Sequence, residues 1–390
     1  MKVAIVTDYY YPALGGITEH VDGQARGLQK RGHEVTVITG NIGRPPRVVD
    51  SAATREDEPP FEVIRMGRTF GWYGNGSQTL HTVHPLIIRK LRKLFARRKF
   101  DIIHTHAPYN PSFVQAVPFV APAASTTVGT FHSVFSKGPV MRAAAMALRP
   151  SIDRLDGRIV VSRACIESLE PYFPGEYTVI PNGIDDEHFS PAAPPLPQFA
   201  DGRKNILFLG RFDPRNGLDT MIRAFTLVRR RRADDVRLII VGDGPLRPFY
   251  RRQIPDDIEP SVVWAGRVNR DRPRYYTSAD ILCTPCDRAS FGMVPLEAMS
   301  CGVPVVGSAN SGFQLLMEHE KQGLLIPRAT DEHGFAAALN RLLDSPGERT
   351  RMGAAGRCTA VENYSWLAVA ERLEDYYRQV IYSRATHAQS

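Results

Sequence analysis

Apolar runs of four to six residues recur along this chain, each closed by glycine or polar residues and followed by an amphipathic stretch. "KVAIVTDY" reads as a first buried strand, "GITEHVDGQARGLQKRG" as a helix stopping near Gly32, and "HEVTVITG" as the next strand. "DIIHTHAP" (101–108) and "STTVGTFHS" (125–133) predict short strands with polar residues just past their ends. "GRIVVSRACIESLEPYF" predicts a strand running into a helix. Strands without alternation, separated by helices, imply a parallel sheet covered on both faces. Ligands of such sheets gather beyond the carboxyl ends of the strands.

The pattern lapses over 179–204, where Pro, Ala and polar residues crowd between two apolar strands as in a linker. It then restarts with "NILFLGR", a helix over 218–230, "DVRLIIVGDG", a helix near 244–254, "VVWAGRV", "ADILCTP", a helix over 293–300, "VPVVGS" and "GLLIP". A long last helix is expected over 365–384. The domains expected are therefore 1–180, 181–365, a terminal helix over 366–385 and a tail over 386–390. The fold class is α/β, with two doubly wound Rossmann-like domains facing a central cleft.

At 390 residues, 43% hydrophobic and 23% charged, the chain has the length and composition of a two-domain globular enzyme. No stretch approaches the roughly 20 apolar residues of a membrane span. The apolar N-terminus lacks a separate charged region and a cleavage site, so it reads as a strand and not a leader. Five cysteines suggest no disulfide framework, and Cys283 and Cys286, without a second pair, read as buried thiols. A cytoplasmic protein, or one peripheral on the cytoplasmic membrane face, is expected. The net charge of +8 concentrates in 85–100, which carries seven Lys or Arg and no acid. There Ile87, Ile88, Leu91, Leu94 and Phe95 form one helical stripe. Two readings stand: a helix lying on anionic lipid, or a stripe packed on the sheet with a solvated basic face. No recognition motif points to nucleic acid.

Four strand-end loops carry candidate chemistry. Gly15 and Gly16 let the backbone approach a ligand before a helix start, although they also suit any tight turn. Arg211 follows a buried strand, with Asp213, Arg215 and Gly217 before a helix; it suits a diphosphate or an Arg–Asp pair holding the turn. Gly266, with Val268 beyond it, suits backbone groups lying along a flat base or a plain turn at a strand end. Ser290, Phe291, Gly292, Met293 and Val294 lead into a helix whose first amides suit phosphate, with Pro295 in its first turn. Glu297 suits a ribose diol or the positive end of its own helix. His104, His106 and His132 lie just past strand ends; without a carboxylate or cysteine at ligand spacing they suggest hydrogen bonding, and no metal is expected. Neither Gly-x-Gly-x-x-Gly nor Gly-Lys-Ser/Thr occurs at these loops. The sum is a nucleotide-sugar site.

The pieces "YYPALGGITEHV", "HTHAP", "GTFHS", "VIPNGIDDEHFSP", "LFLGRFDPRNGLDTMIRAF", "LIIVGDGP", "FGMVPLEAMSCGVPVVGS" and "GLLIP" resemble the retaining glycosyltransferase family 4, of GT-B fold, over essentially the whole chain. Within it, "FGWYGNGS" (70–77) and "HTHAPYNPS" are similar to the phosphatidylinositol mannosyltransferase group. The resemblance implies transfer, with retention, of a sugar from a UDP- or GDP-linked co-substrate to a small-molecule or lipid-linked acceptor, with no cofactor and no metal. It implies that Arg211, aided by Arg215, meets the donor diphosphate and Glu297 the ribose, that Gly16 closes over the phosphates, and that His132 stands where sugar and acceptor meet. Thr18, Asn75, Ser77 and His106 are implied on the acceptor side, and the last helix would return to the first domain. Two positions depart from the pattern: Asn216 stands for the usual lysine, and Ala289 for the first of two glutamates eight apart. Both bear on donor choice and on whether transfer survives. A nucleotide-sugar epimerase, a phosphorylase and a non-catalytic binding subunit are the rival readings.

Overall fold

The computed structural model describes residues 1–13, 15–42, 58–74, 77–132, 138–232 and 235–387. The chain divides into two compact units, Met1–Gly183 with Trp366–Ser390, and Ile184–Ser365.

Unit 1 is built on seven parallel strands: β1 (Lys2–Thr7), β2 (Glu34–Gly40), β3 (Glu62–Met66), β6 (Ile102–His106), β7 (Thr126–Phe131), β8 (Gly157–Val160) and β9 (Thr178–Val179), with an antiparallel hairpin of β4 (Arg68–Gly74) and β5 (Ser77–Val83) inserted after β3. The sheet order is β3-β2-β1-β6-β7-β8-β9, so the winding reverses between β1 and β6. Val3, Ile5, Ile102, Val128 and Ile159 form the core on one face, and Ala4, Val6, Ile38 and Ile103 on the other. On the first face the Gly16–Lys30 helix packs against the terminal helix Trp366–His387. Gly23 and Gly27, one turn apart, permit this: a Cβ on Gly23 would lie 2.0 Å from the Trp366 ring, and one on Gly27 2.5 Å from the Trp366 carbonyl.

The other face settles the basic helix, which spans Ile87–Arg98. Leu91 and Phe95 are fully buried against β1, β2 and β6, and Ile87 and Leu94 pack beside them. The expected stripe is thus largely consumed by the core; of it only Ile88 is exposed, next to Leu86. Arg89, Lys90, Arg92 and Lys93 all face solvent.

Unit 2 repeats the plan with β10 (Lys204–Leu209), β11 (Val236–Val241), β12 (Val262–Gly266), β13 (Ile281–Thr284), β14 (Val305–Ser308) and β15 (Gly323–Ile326), all parallel. Their order, β12-β11-β10-β13-β14-β15, is that of a dinucleotide fold, reversing between β10 and β13. Two predicted elements need correction. The helix expected near 244–254 is one turn, Arg247–Arg251, because Pro248 suits only its start and Pro255 follows closely. The last helix is also preceded by two that periodicity missed, Glu332–Asp344 and Pro346–Tyr364. In the second, glycines and charges interrupt the apolar stripe.

Candidate active site

In unit 2 the two loops flanking the reversal are bound to one another. Gly217 holds a left-handed backbone (φ 73°), and a Cβ there would lie 2.0 Å from the Pro285 carbonyl, so the β10 loop seats directly on the end of β13. The Asp287 N–H donates to the Arg215 carbonyl at 2.8 Å, completing the seam. Asp213 accepts from the Arg215 N–H at 3.1 Å and caps the turn. Arg215 also pairs with Asp213 through its guanidinium, at 3.8 Å. Arg211 and Arg215 are exposed on this loop. Gly266, also left-handed (φ 74°), ends β12 over open space, and Val268 is half-buried beyond it.

Phe291 is buried beneath the next loop, while Ser290, Gly292, Met293 and Val294 are partly exposed. Gly292 (φ 120°) opens the Met293–Ser300 helix, whose first-turn amides have no intrahelical acceptor. Glu297 is 1% exposed and engaged on both oxygens: Tyr276 O–H donates to Oε2 at 2.8 Å, and Arg272 lies 3.0 Å from Oε1. A diol meeting this carboxylate shares it with those two partners. Cys283 and Cys286 are buried and unlinked, and burial pushes both thiols up.

Unit 1 gathers imidazoles. His104 and His106 stack at the end of β6 with ring centres 4.6 Å apart. His106 Nδ1 lies 2.9 Å from His132 Nε2, just past β7. His20, one turn into the Gly16–Lys30 helix, stands edge-on to His106, His132 and Trp366. Gln24 donates to the Tyr377 hydroxyl at 3.2 Å, that hydroxyl lies 2.6 Å from His104 Nδ1, and His104 Nε2 lies 2.6 Å from Thr130 Oγ1. This chain is satisfied when Tyr377 donates to Nδ1 and the ring donates from Nε2. Burial drives His20 down to about 4 and His104 to about 3; burial, reinforced by neighbouring rings, holds His106 and His132 well below the usual imidazole range. All four are neutral donors and acceptors at pH 7.

Beside the reversal of unit 1, Asp8 is buried at the end of β1 and accepts from the Thr82 N–H (2.8 Å), from Asn110 (2.8 Å) and from the Ser112 hydroxyl. Asn110 also donates to the Leu80 carbonyl at 2.6 Å. The pair clamps β5, and so the hairpin, to the sheet. Gly15 and Gly16 are exposed, with open space where a Cβ would stand. Thr18 is almost fully buried and is not presented to solvent. Asn75 lies outside the described residues, as does the side chain of Ser77.

Comparison with known proteins agrees with this architecture. Residues 14–188 match the family described as Glycosyltransferase Family 4, and 203–345 match Glycosyl transferases group 1. The phosphatidyl-myo-inositol mannosyltransferase of Mycobacterium leprae is 30% identical, with 97% of each chain covered. The chain belongs to glycosyltransferase family 4. A further relative of this transferase, at 27% identity with 97% and 98% covered, is the GDP-mannose-dependent alpha-(1-6)-phosphatidylinositol monomannoside mannosyltransferase of Mycobacterium tuberculosis. The sucrose-phosphate synthase of Thermosynechococcus elongatus superposes with a TM-score of 0.71 at 22% identity, covering 98% of this chain and all of the other, which bears on the fold, GT-B.

The transferase's two departures have structural counterparts. Asn216 donates to the Arg211 carbonyl at 2.8 Å, so a side chain in the lysine's place braces the arginine's own loop. Ala289 is partly buried, and the exposed Arg288 before it pairs with Asp287 at 3.3 Å. Sequence reasoning missed His20, Gln24 and Tyr377, the Asp8 clamp and the Arg272–Glu297–Tyr276 group. For His20 a signal existed, because a histidine four residues after Gly16 lies within the first turns of a helix aimed at the strand ends.

Proposed function

We propose that this glycosyltransferase moves a sugar from a UDP- or GDP-linked donor to an acceptor that is polar or lipid-linked and carries inositol phosphate, with retention of anomeric configuration. Unit 2 holds the donor and unit 1 the acceptor. The observation that supports the reading is the unit 2 seam, which ties the loop bearing Arg211 and Arg215 to the loop that leads into Met293–Ser300 at the switch point, where guanidiniums and free helix amides suit a diphosphate. The names of the two relatives, both acting on phosphatidylinositol-type lipids, support the acceptor class.

In the transfer the bond from sugar C1 to the diphosphate oxygen breaks while a bond from C1 to the acceptor oxygen forms on the same face. The acceptor's proton passes to the departing phosphate oxygen. Arg211 and Arg215 stabilise the charge that builds on the diphosphate, and the helix amides add to it. Neutral His132 and His106 donate to sugar or acceptor oxygens and act by placement. Transfer needs no metal. Liquid-state NMR of the product formed from a panel of nucleotide sugars and phosphatidylinositol tests the assignment. An α-linked product from an α-linked donor is expected; an inverted product, or interconversion of sugars with no acceptor, overturns it.

The exposed basic row of Ile87–Arg98 brings the enzyme to an anionic membrane surface by charge, since its apolar stripe is spent on the core. Sedimentation with anionic vesicles should fall with salt and with charge reversal at Arg89, Lys90, Arg92 and Lys93. Indifference to vesicle charge rejects this part. No described helix is long and apolar enough to cross a membrane.

A second reading of the donor follows from Ala289 beside Arg288, which is 86% exposed. A uronic acid donor, repelled by a glutamate at 289, pairs here with Arg288. Ala289→Glu with Asn216→Lys should shift preference from uronic acid to neutral hexose; efficient wild-type transfer of neutral hexose, undiminished relative to A289E, rejects it.

A further inference from the structure

We infer that unit 1 contains a transition-metal site, formed by His20, His106 and His132, and that a zinc-class ion bound there shuts off transfer. One nitrogen from each ring lies within 4.8 Å of the others, although the rings come from three elements: the Gly16–Lys30 helix, β6 and the segment after β7. Tetrahedral zinc, with bonds of about 2.0–2.1 Å, sets its ligand nitrogens ~3.4 Å apart, so side-chain shifts of about 1 Å close the site.

The cluster has unused coordination capacity. His20 Nδ1 and His106 Nε2 are buried without hydrogen-bond partners, an unusual state for ring nitrogens that a Lewis acid would relieve. Gln24 and Asn182 flank His20, and each has a buried amide oxygen with no donor. An amide oxygen beside His20 can take that ring's N–H while the other nitrogen binds the ion, the outer support that metal-bound histidines use. A neutral imidazole binds an ion through its bare nitrogen and keeps its single N–H on the other. Three imidazoles without a carboxylate select zinc, copper or nickel over magnesium, calcium or manganese. His132 is half-buried, which leaves one side reachable from solvent and a fourth position for water.

Inhibition rests on the reading of His106 and His132 as acceptor-side donors, because an ion on one nitrogen of each ring fixes the N–H on the far side and stands between the rings and a hydroxyl. The site itself does not depend on that reading. Calorimetry of the untagged full chain with zinc chloride should give one ion per chain, and magnesium chloride none. X-ray absorption at the zinc edge should show a first shell of about three imidazole nitrogens near 2.0 Å. His20→Ala and His20→Gln should each weaken zinc at least a hundredfold while magnesium stays inert. If neither variant folds, the wild-type absorption shell decides. No stoichiometric binding, or a shell without multiple imidazoles, overturns the site. Zinc bound by all three rings with transfer undiminished overturns the inhibition alone and counts against the acceptor role of His106 and His132. Donor binding by unit 2, measured with and without zinc, should be unchanged.

Discussion

The two units answer the same topological problem with opposite electrostatics. Unit 2 places exposed, permanently charged guanidiniums and helix amides at its switch point, whereas unit 1 places buried, neutral imidazoles and hydroxyls at the ends of β6 and β7. On the proposed assignment, a diphosphate brings its own charge and stays partly hydrated, so its ligands can remain in water. The hydroxyls of the proposed sugar and acceptor bring no charge, and their recognition depends on direction, which burial enforces by fixing tautomers. The contrast yields tests that affect one unit and spare the other.

The largest effect should be acid sensitivity confined to unit 1. Unfolded histidines take up protons near pH 6.5, but folded His20 does so only near 4. The unfolded state therefore binds more protons across that interval, and the stability this group contributes is full above 6.5 and lost as pH falls towards 4. His20 alone accounts for about 3 kcal/mol, with His104, His106 and His132 acting in the same direction. Hydrogen exchange between pH 7 and 4.5 should show unit 1 amides losing protection first; equal loss in both units would break the comparison.

Next, Arg211→Ala should cost about 1.5–3 kcal/mol in transition-state stabilisation, roughly tenfold to a hundredfold in kcat/KM for the donor. The loss should shrink at high salt, which the histidine contacts would not do. Unchanged donor binding and turnover would remove Arg211 from the site. Glu297→Gln should weaken nucleotide diphosphate by about 1.5 kcal/mol, and by the same amount with the sugar attached. A loss confined to the sugar-bearing ligand would move Glu297 away from the ribose. The smallest effect belongs to Asp8→Asn, which loosens the hairpin clamp: acceptor KM should rise a few-fold, about 1 kcal/mol, with donor hydrolysis unaltered. A change in donor hydrolysis would show that Asp8 is not confined to the acceptor side.

These residues also mark where the sequence was readable. Arg211, Gly217 and Gly292 each follow an apolar run and open a helix, so local pattern alone placed them at strand ends, and the buried strands of both sheets were plain from their continuous apolar stretches. The Asp8 clamp was not readable, because Thr82, Asn110 and Ser112 join it only through chain reversals 74 to 104 residues long. Tyr377 meets His104 across 273 residues, and nothing in the spacing of either predicts it. The hairpin was hidden for a different reason: its partly exposed strands sit outside both sheets and lack the continuous apolar run of a buried strand. The fate of the basic helix was also a question of tertiary packing, since the same stripe serves lipid or sheet equally well.

The return of the last helix to the first unit has a consequence during synthesis. Unit 2 is an uninterrupted stretch, Ile184–Ser365, and holds every strand it needs once its last residues leave the ribosome. Unit 1 begins first yet finishes last: its Gly23–Gly27 surface stays bare, and His104 lacks its tyrosine, until residues 366–377 arrive. The nascent chain thus carries an unfinished N-terminal half through the time needed to translate about 180 further residues, near 10–40 s at typical rates. Premature termination anywhere after the second unit would release a molecule with a complete second unit and a first unit lacking its final brace.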